Sequence, residues 1–332
     1  MDPAERTQLG RTALQVTRVG LGTAPLGGLY SPVSEEQAVE TVRRAYGAGL
    51  RFFDTAPLYG HGLSERRVGV GVAGVPRDDF VLATKVGRLL RADAPPDQSQ
   101  LSGGFDRWPG APPVNPLFDF SYDGVLRSFE ESLERLGLDR VDVLHIHDPD
   151  EHEAEALSGA FRALDRLRGE GAISALGAGM NQAEMLVRFA RAADFDCFLV
   201  AGRYTLFDQV ALRDLLPLCL ERGIGVILGG VYNSGILADP RPGATFDYAP
   251  APPEVVERAQ RLDAVCRRHD VSLKAAALQF PLAHPAVTTL LVGARSPTEL
   301  DEDLGLLEAP LAPELWSDLR REHLIPEDAP TP

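Results

Sequence analysis

Four residues in this 332-residue chain could do proton chemistry together: Asp54, Tyr59, Lys85 and His147. Asp54 ends an apolar run, Leu50-Arg51-Phe52-Phe53-Asp54, that reads as a short buried strand, and Tyr59 follows five residues later on the loop after it. An acid at a strand end and a phenol on the next loop can face one pocket. A phenol has a reference pKa of about 10 and is a poor acid or base near neutrality unless a cation lowers that value. Lys85 supplies a cation at the end of a second apolar run, Phe80-Val81-Leu82-Ala83-Thr84-Lys85-Val86. A third run, Val141-Asp142-Val143-Leu144-His145-Ile146-His147-Asp148-Pro149, ends in histidines. All four groups therefore sit at carboxyl ends of successive strands, the face of a parallel α/β barrel where active sites form. Such a set suits proton transfer at a reacting oxygen. Tyr59 is the general acid or base, its pKa held down by a Lys85 paired to Asp54. His147 donates to the reacting oxygen.

These strands belong to an alternating pattern of strand-like and helix-like segments, which calls for a parallel sheet with helical crossovers. Residues 6–17 read as a polar hairpin over the barrel bottom and 19–22 as the first strand. Residues 172–177, 197–201, 225–228 and 288–292 read as strands five to eight. Helices are expected at 34–47 (opened by a capping box of Ser34 with Gln37), 61–72, 121–136, 151–168, 183–193, 212–222, 255–269 and 297–307. A last helix, 311–322, lies outside the repeat, and 327–332 reads as a disordered tail. Two long loops, 91–119 with Phe105, Trp108 and Phe118, and 236–253, should reach the barrel mouth. The expectation is one domain, residues 1–332, built on a (β/α)8 barrel whose core spans about 19–307.

Gly49 to Asp54, Thr55-Ala56, Tyr59-Gly60 and Ser64-Glu65 resemble the signature of the aldo-keto reductases. Lys85 after its strand and the His-x-Pro of His147-Asp148-Pro149 resemble two further motifs of that family. Val292-Gly293-Ala294-Arg295-Ser296-Pro297-Thr298-Glu299-Leu300 resembles its cofactor-binding turn. The resemblance implies an NAD(P)-dependent oxidoreductase with Asp54, Tyr59, Lys85 and His147 as its catalytic set. It places Gly22 and Thr23 under the nicotinamide and Asn181 on the carboxamide. Gly230, Ser234 and Gly235 follow along the cofactor, and Gly293, Ala294, Arg295, Ser296, Glu299 and Asp303 lie at its adenosine end. Glu299 stands where relatives often carry a basic residue. A carboxylate there repels a 2′-phosphate and accepts from a free ribose hydroxyl, so NAD is favoured over NADP. Gly229 stands where many relatives stack a Tyr on the nicotinamide.

His147-Asp148-Pro149, Gly179-Met180-Asn181, Ala201-Gly202-Arg203-Tyr204 and Asn233-Ser234-Gly235-Ile236-Leu237 resemble the branch of aldose 1-dehydrogenases and pyridoxal 4-dehydrogenases. That implies oxidation of a cyclic hemiacetal to a lactone, with Tyr59, His147, Trp108 and Arg203 around a sugar or pyridoxal. Two other readings remain open: an NADPH-dependent reductase of aldehydes or ketones, and a cofactor-binding regulatory subunit.

Composition narrows the classes further. A net charge of −15 opposes a nucleic-acid partner or an anionic membrane. Three widely spaced cysteines, Cys197, Cys219 and Cys266, read as buried thiols of a reducing compartment, and the polar start offers no apolar signal core. The expectation is a cytoplasmic protein, monomeric or a small homo-oligomer. His145, His147, Asp148 and His152 could suggest a metal. The remaining histidines fall in helix-like segments or near the end, so no metal is expected. His145 reads as a hydrogen-bonded histidine of the barrel interior.

Overall fold

The computed structural model describes residues 2–96, 101–102 and 105–332, with only the backbone of Leu101, Ser102 and Phe105. The aromatic wall expected of Phe105 thus lies outside the described side chains.

Eight strands close into a parallel barrel: Val19–Gly22, Phe52–Asp54, Val81–Val86, Val143–His147, Ala175–Met180, Cys197–Ala201, Gly225–Gly229 and Val287–Gly293. Side chains alternate across a strand, and that period sorts two cores. Phe52, Val81, Ala83, Val143, Ala175, Cys197, Leu199, Ile227 and Leu291 fill the interior. Phe53, Leu82, Leu144, Ile146, Leu176 and Phe198 face outward to the helices. The hairpin Arg6–Gln8 with Gln15–Thr17 closes the bottom, where Leu9 and Val16 join the interior core. This matches the expected barrel and its plugged base.

Helix starts follow their caps. Ser34 accepts from Gln37 N, Ser121 from Gly124 N, Ser272 from Ala275 N and Ser296 from Glu299 N. The Gln37 side chain does not complete the capping box; it donates to the Arg295 carbonyl at 2.9 Å. The helix Leu273–Gln279 was not anticipated, because its Ala-rich stretch is buried nearly all round and shows no polar face. The expected helix 151–168 contains a widened π turn at Ala156–Ala160 between Glu153–Glu155 and Phe161–Gly169. The tail expected to be disordered is docked instead. Ala329 is buried, and Arg320 donates to its carbonyl at 2.8 Å and to Thr331 at 3.1 Å.

Both long loops rise from the carboxyl side. In the first, Arg88–Arg91 pairs antiparallel with Asn115–Phe118. This ribbon carries Trp108 to the mouth, where it is buried, whereas Phe118 stays partly exposed and stacks on Phe120. In the second, Thr245–Phe246 pairs with Ala249–Pro250, and the turn between them brings Asp247 and Tyr248 over the barrel. All three cysteines are free and buried. Among the described residues no helix is long and apolar enough to cross a membrane.

Candidate active site

Register brings the four groups together. Asp54 pairs with Ala83, so Lys85, two residues on and on the same face, rises beside Asp54. Lys85 pairs with His145, which puts His147 one layer nearer the mouth, opposite Gly179. Glycines make the room. A Cβ at Gly177 would lie 2.5 Å from His145 Nδ1 and from the Cys197 carbonyl. Tyr59 is held by backbone packing of its neighbour: Gly60 has φ 61°, and a Cβ there would lie 2.1 Å from the Gly27 carbonyl oxygen. Gly60→Ala is therefore expected to cost about 2–4 kcal/mol and to displace Tyr59. A urea titration checks this, and an unchanged midpoint would contradict it.

Beneath Tyr59 lies a closed polar network. Thr23 Oγ1 donates to the Asp54 carbonyl at 2.8 Å and lies 2.6 Å from Ser64 Oγ, which lies 2.9 Å from Thr55 Oγ1. Glu65, fully buried, accepts from Thr84 at 2.7 Å and from Arg135 at 2.5 Å. The Ser64-Glu65 pair thus ties the tyrosine loop to the strand ends.

Lys85 Nζ donates to Asp54 Oδ1 at 2.6 Å and to the Thr55 carbonyl at 2.9 Å, and both side chains are almost wholly buried. Burial pushes Lys85 down and Asp54 up, each opposed by the other's charge. The same ammonium lies 4.6 Å from the centre of the Tyr59 ring. It faces the π cloud, and Asp54 compensates its charge. The Tyr59 pKa is accordingly not depressed as the sequence suggests but raised well above 10, by burial first and then by Asp54 and Asp148, with Arg88 opposing. Tyr59 is a phenol here, ready to donate. His147 is pushed well below 6.5 by burial and by the cations Arg88 and Lys85, so it is a neutral ring. Its Nε2 lies 3.5 Å from Asp148 Oδ2. That carboxylate favours the tautomer with the proton on Nε2. His145 makes no hydrogen bond among the described residues, contrary to expectation, and burial pushes it down to about 3. A neutral ring enclosed by the apolar barrel core accounts for this.

Two cavities meet at Tyr59. The smaller, about 320 Å³, is walled by Trp108, His147, Asp148, Arg107, Arg203 and Tyr248. Trp108 and His147 rings stand 5.8 and 5.9 Å from the Tyr59 ring. Arg203, expected at the mouth, is there and pairs with Asp247 at 3.0 Å. The larger cavity, about 500 Å³, runs from Gly22, Thr23, Asp54 and Tyr59 to Arg295 and Glu299. Gly230, Ser234, Gly235, Gly293 and Asp303 line it, as does Asn181. Two expected residues stand apart from its wall. Ala294 is fully buried, and Ser296 is occupied in capping the helix Pro297–Glu308. Thr23 and Asn181 reach the cavity with their polar atoms already engaged. Asn181 Nδ2 donates to Asp148 at 3.3 Å, and its Oδ1 accepts from Tyr248 at 3.1 Å. Asp303 accepts from Tyr232 at 2.7 Å and faces Lys274 at 3.4 Å.

The larger cavity fits a nicotinamide dinucleotide. It begins at the proton-handling groups, has the bare Gly229–Gly230 stretch for a flat ring, and ends on a guanidinium at a helix start. The sequence reading missed Arg88, Asp148, Asp247, Tyr248, Lys274 and Tyr232. Asp148 was visible beside His147, but its partner Arg88 lies 60 residues away, and the loop bearing Tyr248 has no periodicity to orient it. Among the described residues no group of three or more His, Cys, Asp or Glu is placed to hold a metal ion.

The aldo/keto reductase family model matches residues 18–322. Pyridoxal 4-dehydrogenase of Microbacterium luteolum is 43% identical, over 97% of this chain and 98% of that protein. D-threo-aldose 1-dehydrogenase of a Pseudomonas species is 40% identical, over 94% and 96%. L-galactose dehydrogenase of Arabidopsis thaliana is 34% identical, over 92% and 88%. Among solved structures, an aldo-keto reductase from Bacillus halodurans in its holo form superimposes with a TM-score of 0.74 at 25% identity, covering 96% of this chain and 95% of that one. With the tetrad at one mouth of the barrel and a groove leading away from it, the chain belongs to the aldo/keto reductase family of nicotinamide-dependent oxidoreductases.

Proposed function

We propose that this protein oxidises the hemiacetal carbon of an aldose, of the L-fucose or L-galactose type, or of pyridoxal, to a lactone. The observation that carries the reading is the meeting of the two cavities at Tyr59 and His147. Relatives at 40–43% identity bear names of that chemistry. Bound nicotinamide dinucleotide supplies the hydride acceptor. His147, through Nε2–H, donates to the hemiacetal hydroxyl oxygen and fixes it beside Tyr59. As the C–H pair leaves as hydride, Tyr59 as phenolate takes the O–H proton, and the carbon–oxygen double bond of the lactone forms. Lys85 and Asp54 hold the phenol ring from below. Trp108 walls the ring of the substrate, and Arg203 sits at the rim among its hydroxyls.

The adenosine end favours NAD. Arg295 is engaged by Glu299 through its backbone N–H at 2.8 Å and its guanidinium at 2.6 Å. Lys274 lies 2.8 Å from Glu302 and 3.4 Å from Asp303. Two cations face three carboxylates, a net −1 that repels a 2′-phosphate and offers acceptors to a free hydroxyl. NAD⁺ is expected to show a kcat/KM roughly tenfold above NADP⁺, and Glu299→Ala to narrow the gap. Steady-state kinetics with both cofactors checks this, and a preference for NADP⁺ in the wild type would contradict it.

The test of the function is absorbance of reduced nicotinamide with L-fucose, D-arabinose, L-galactose and pyridoxal, each with NAD⁺ and NADP⁺. Turnover on one of them supports the reading, and silence on all sinks it. A second reading, reduction of an aldehyde or ketone, is favoured by one observation: Tyr59 held as a phenol is already a proton donor. Turnover confined to carbonyl reduction would select it. Retention of the cofactor with no turnover in either direction would select a regulatory subunit.

A further inference from the structure

Asp148 stands beside His147 yet does none of the proton transfer assigned above. Its backbone is left-handed, φ 41°, a conformation that costs a non-glycine residue about 1 kcal/mol or more and persists where the surroundings impose it. Its N–H donates to the Gly179 carbonyl at 3.0 Å. Arg88 clamps the turn from behind, donating to the His147 carbonyl at 3.2 Å and to Asp148 Oδ2 at 3.3 Å. Asn181 donates to Oδ1 at 3.3 Å. These contacts are long for charge-assisted bonds, whose usual N···O distance is about 2.7–2.9 Å. They also leave acceptor capacity unused, since a carboxylate offers about four lone-pair directions. The side chain lines the smaller cavity with Tyr59, Trp108 and Arg203.

We propose that Asp148 determines specificity by accepting a hydrogen bond from the hydroxyl on the carbon next to the one oxidised. The inference rests on the hemiacetal reading above. His147 Nε2 binds the reacting oxygen, and Asp148 Oδ2 lies 3.5 Å from that same nitrogen. An oxygen bonded to Nε2 thus brings its vicinal neighbour to the carboxylate. An ionised carboxylate only accepts, so the site selects an O–H at that position and leaves a buried, underpaired charge when the hydroxyl is missing. The substrate class is a cyclic hemiacetal with a free hydroxyl flanking the oxidised carbon. The negative charge of Asp148 beside Nε2 also favours the proton there, and at 3.5 Å the carboxylate leaves that proton free for the reacting oxygen.

The experiment compares L-fucose with 2-deoxy-L-fucose in the wild type and in Asp148→Asn, with NAD⁺. The wild type is expected to lose about 10- to 100-fold in kcat/KM on the deoxy sugar, as expected for one hydrogen bond to a charged group. In Asp148→Asn the gap between the two sugars should close towards unity. Equal wild-type turnover of both sugars would overturn the assignment alone, with the hemiacetal reading intact. A variant that loses the same factor on both sugars would reduce Asp148 to a structural role and overturn it too. Turnover of pyridoxal with silence on both sugars would overturn this inference alone, because the pyridoxal hemiacetal carries no hydroxyl on the adjacent carbon. Silence of the wild type on every aldose and on pyridoxal, with turnover of some other carbonyl, would sink the hemiacetal reading and this inference together. If Asp148→Asn fails to fold, the two sugars on the wild type still decide.

Discussion

Tyr59→Phe is expected to lower kcat by about 10²- to 10⁴-fold, the span of a general acid–base group, with the midpoint of thermal unfolding nearly unchanged. The ring stays, so its contacts with Trp108, His147 and the Lys85 ammonium stay. Only the proton carrier is lost. The wild type should also show the sign of the raised Tyr59 pKa. Oxidation needs the phenolate, so its kcat/KM should climb with pH through the neutral range without a plateau. Reduction needs the phenol and should stay flat there. Steady-state kinetics in both directions, with thermal unfolding alongside, checks the pair. A plateau in oxidation near pH 7 would mean that some cation lowers the Tyr59 pKa after all.

Lys85→Met is expected to abolish turnover and to destabilise the fold by about 3–5 kcal/mol, the cost of breaking a buried ion pair from one side. Asp54 would remain with Oδ2 already lacking a partner and Oδ1 newly stripped of one. In a chain of this size that lowers the melting temperature by roughly 5–10 °C. The double variant Asp54→Leu/Lys85→Met removes both charges. It should recover much of the stability and none of the activity, which separates the pair's part in the fold from its part in the chemistry. Calorimetry and turnover on the three proteins check this. A single variant as stable as the wild type would contradict the buried-pair geometry.

The architecture was legible because the strands read as apolar runs and three of them end in groups that apolar runs rarely carry. The strand 197–201 has its expected limits, and the Ser34 cap marks its helix start in the sequence. The sign of the Tyr59 shift was not legible. It depends on where the Lys85 ammonium lies against the ring and on the negative charge of Asp148, both set by barrel register and by Arg88 in a ribbon that only the folded chain brings near. Lys85 predicts depression by proximity, but burial and two carboxylates raise the value, and the cation that opposes them is Arg88. The tail misled for a similar reason: its Pro-rich composition suits disorder, and nothing local records that Arg320 will hold it. Tyr248 and Asp247 were hidden in a loop whose reach over the mouth is fixed by the Arg203 and Asn181 contacts, tens of residues away in sequence.

The central claim is that hydride leaves the hemiacetal carbon for the nicotinamide as Tyr59 takes the neighbouring proton. L-Fucose carrying deuterium at C1 tests it most directly, with the reduced cofactor isolated and read by proton NMR. The account predicts that the deuterium appears on C4 of the nicotinamide ring, on one face, and that Tyr59→Phe suppresses the transfer. Reduced cofactor free of deuterium, or label transfer at wild-type rate in Tyr59→Phe, would contradict it.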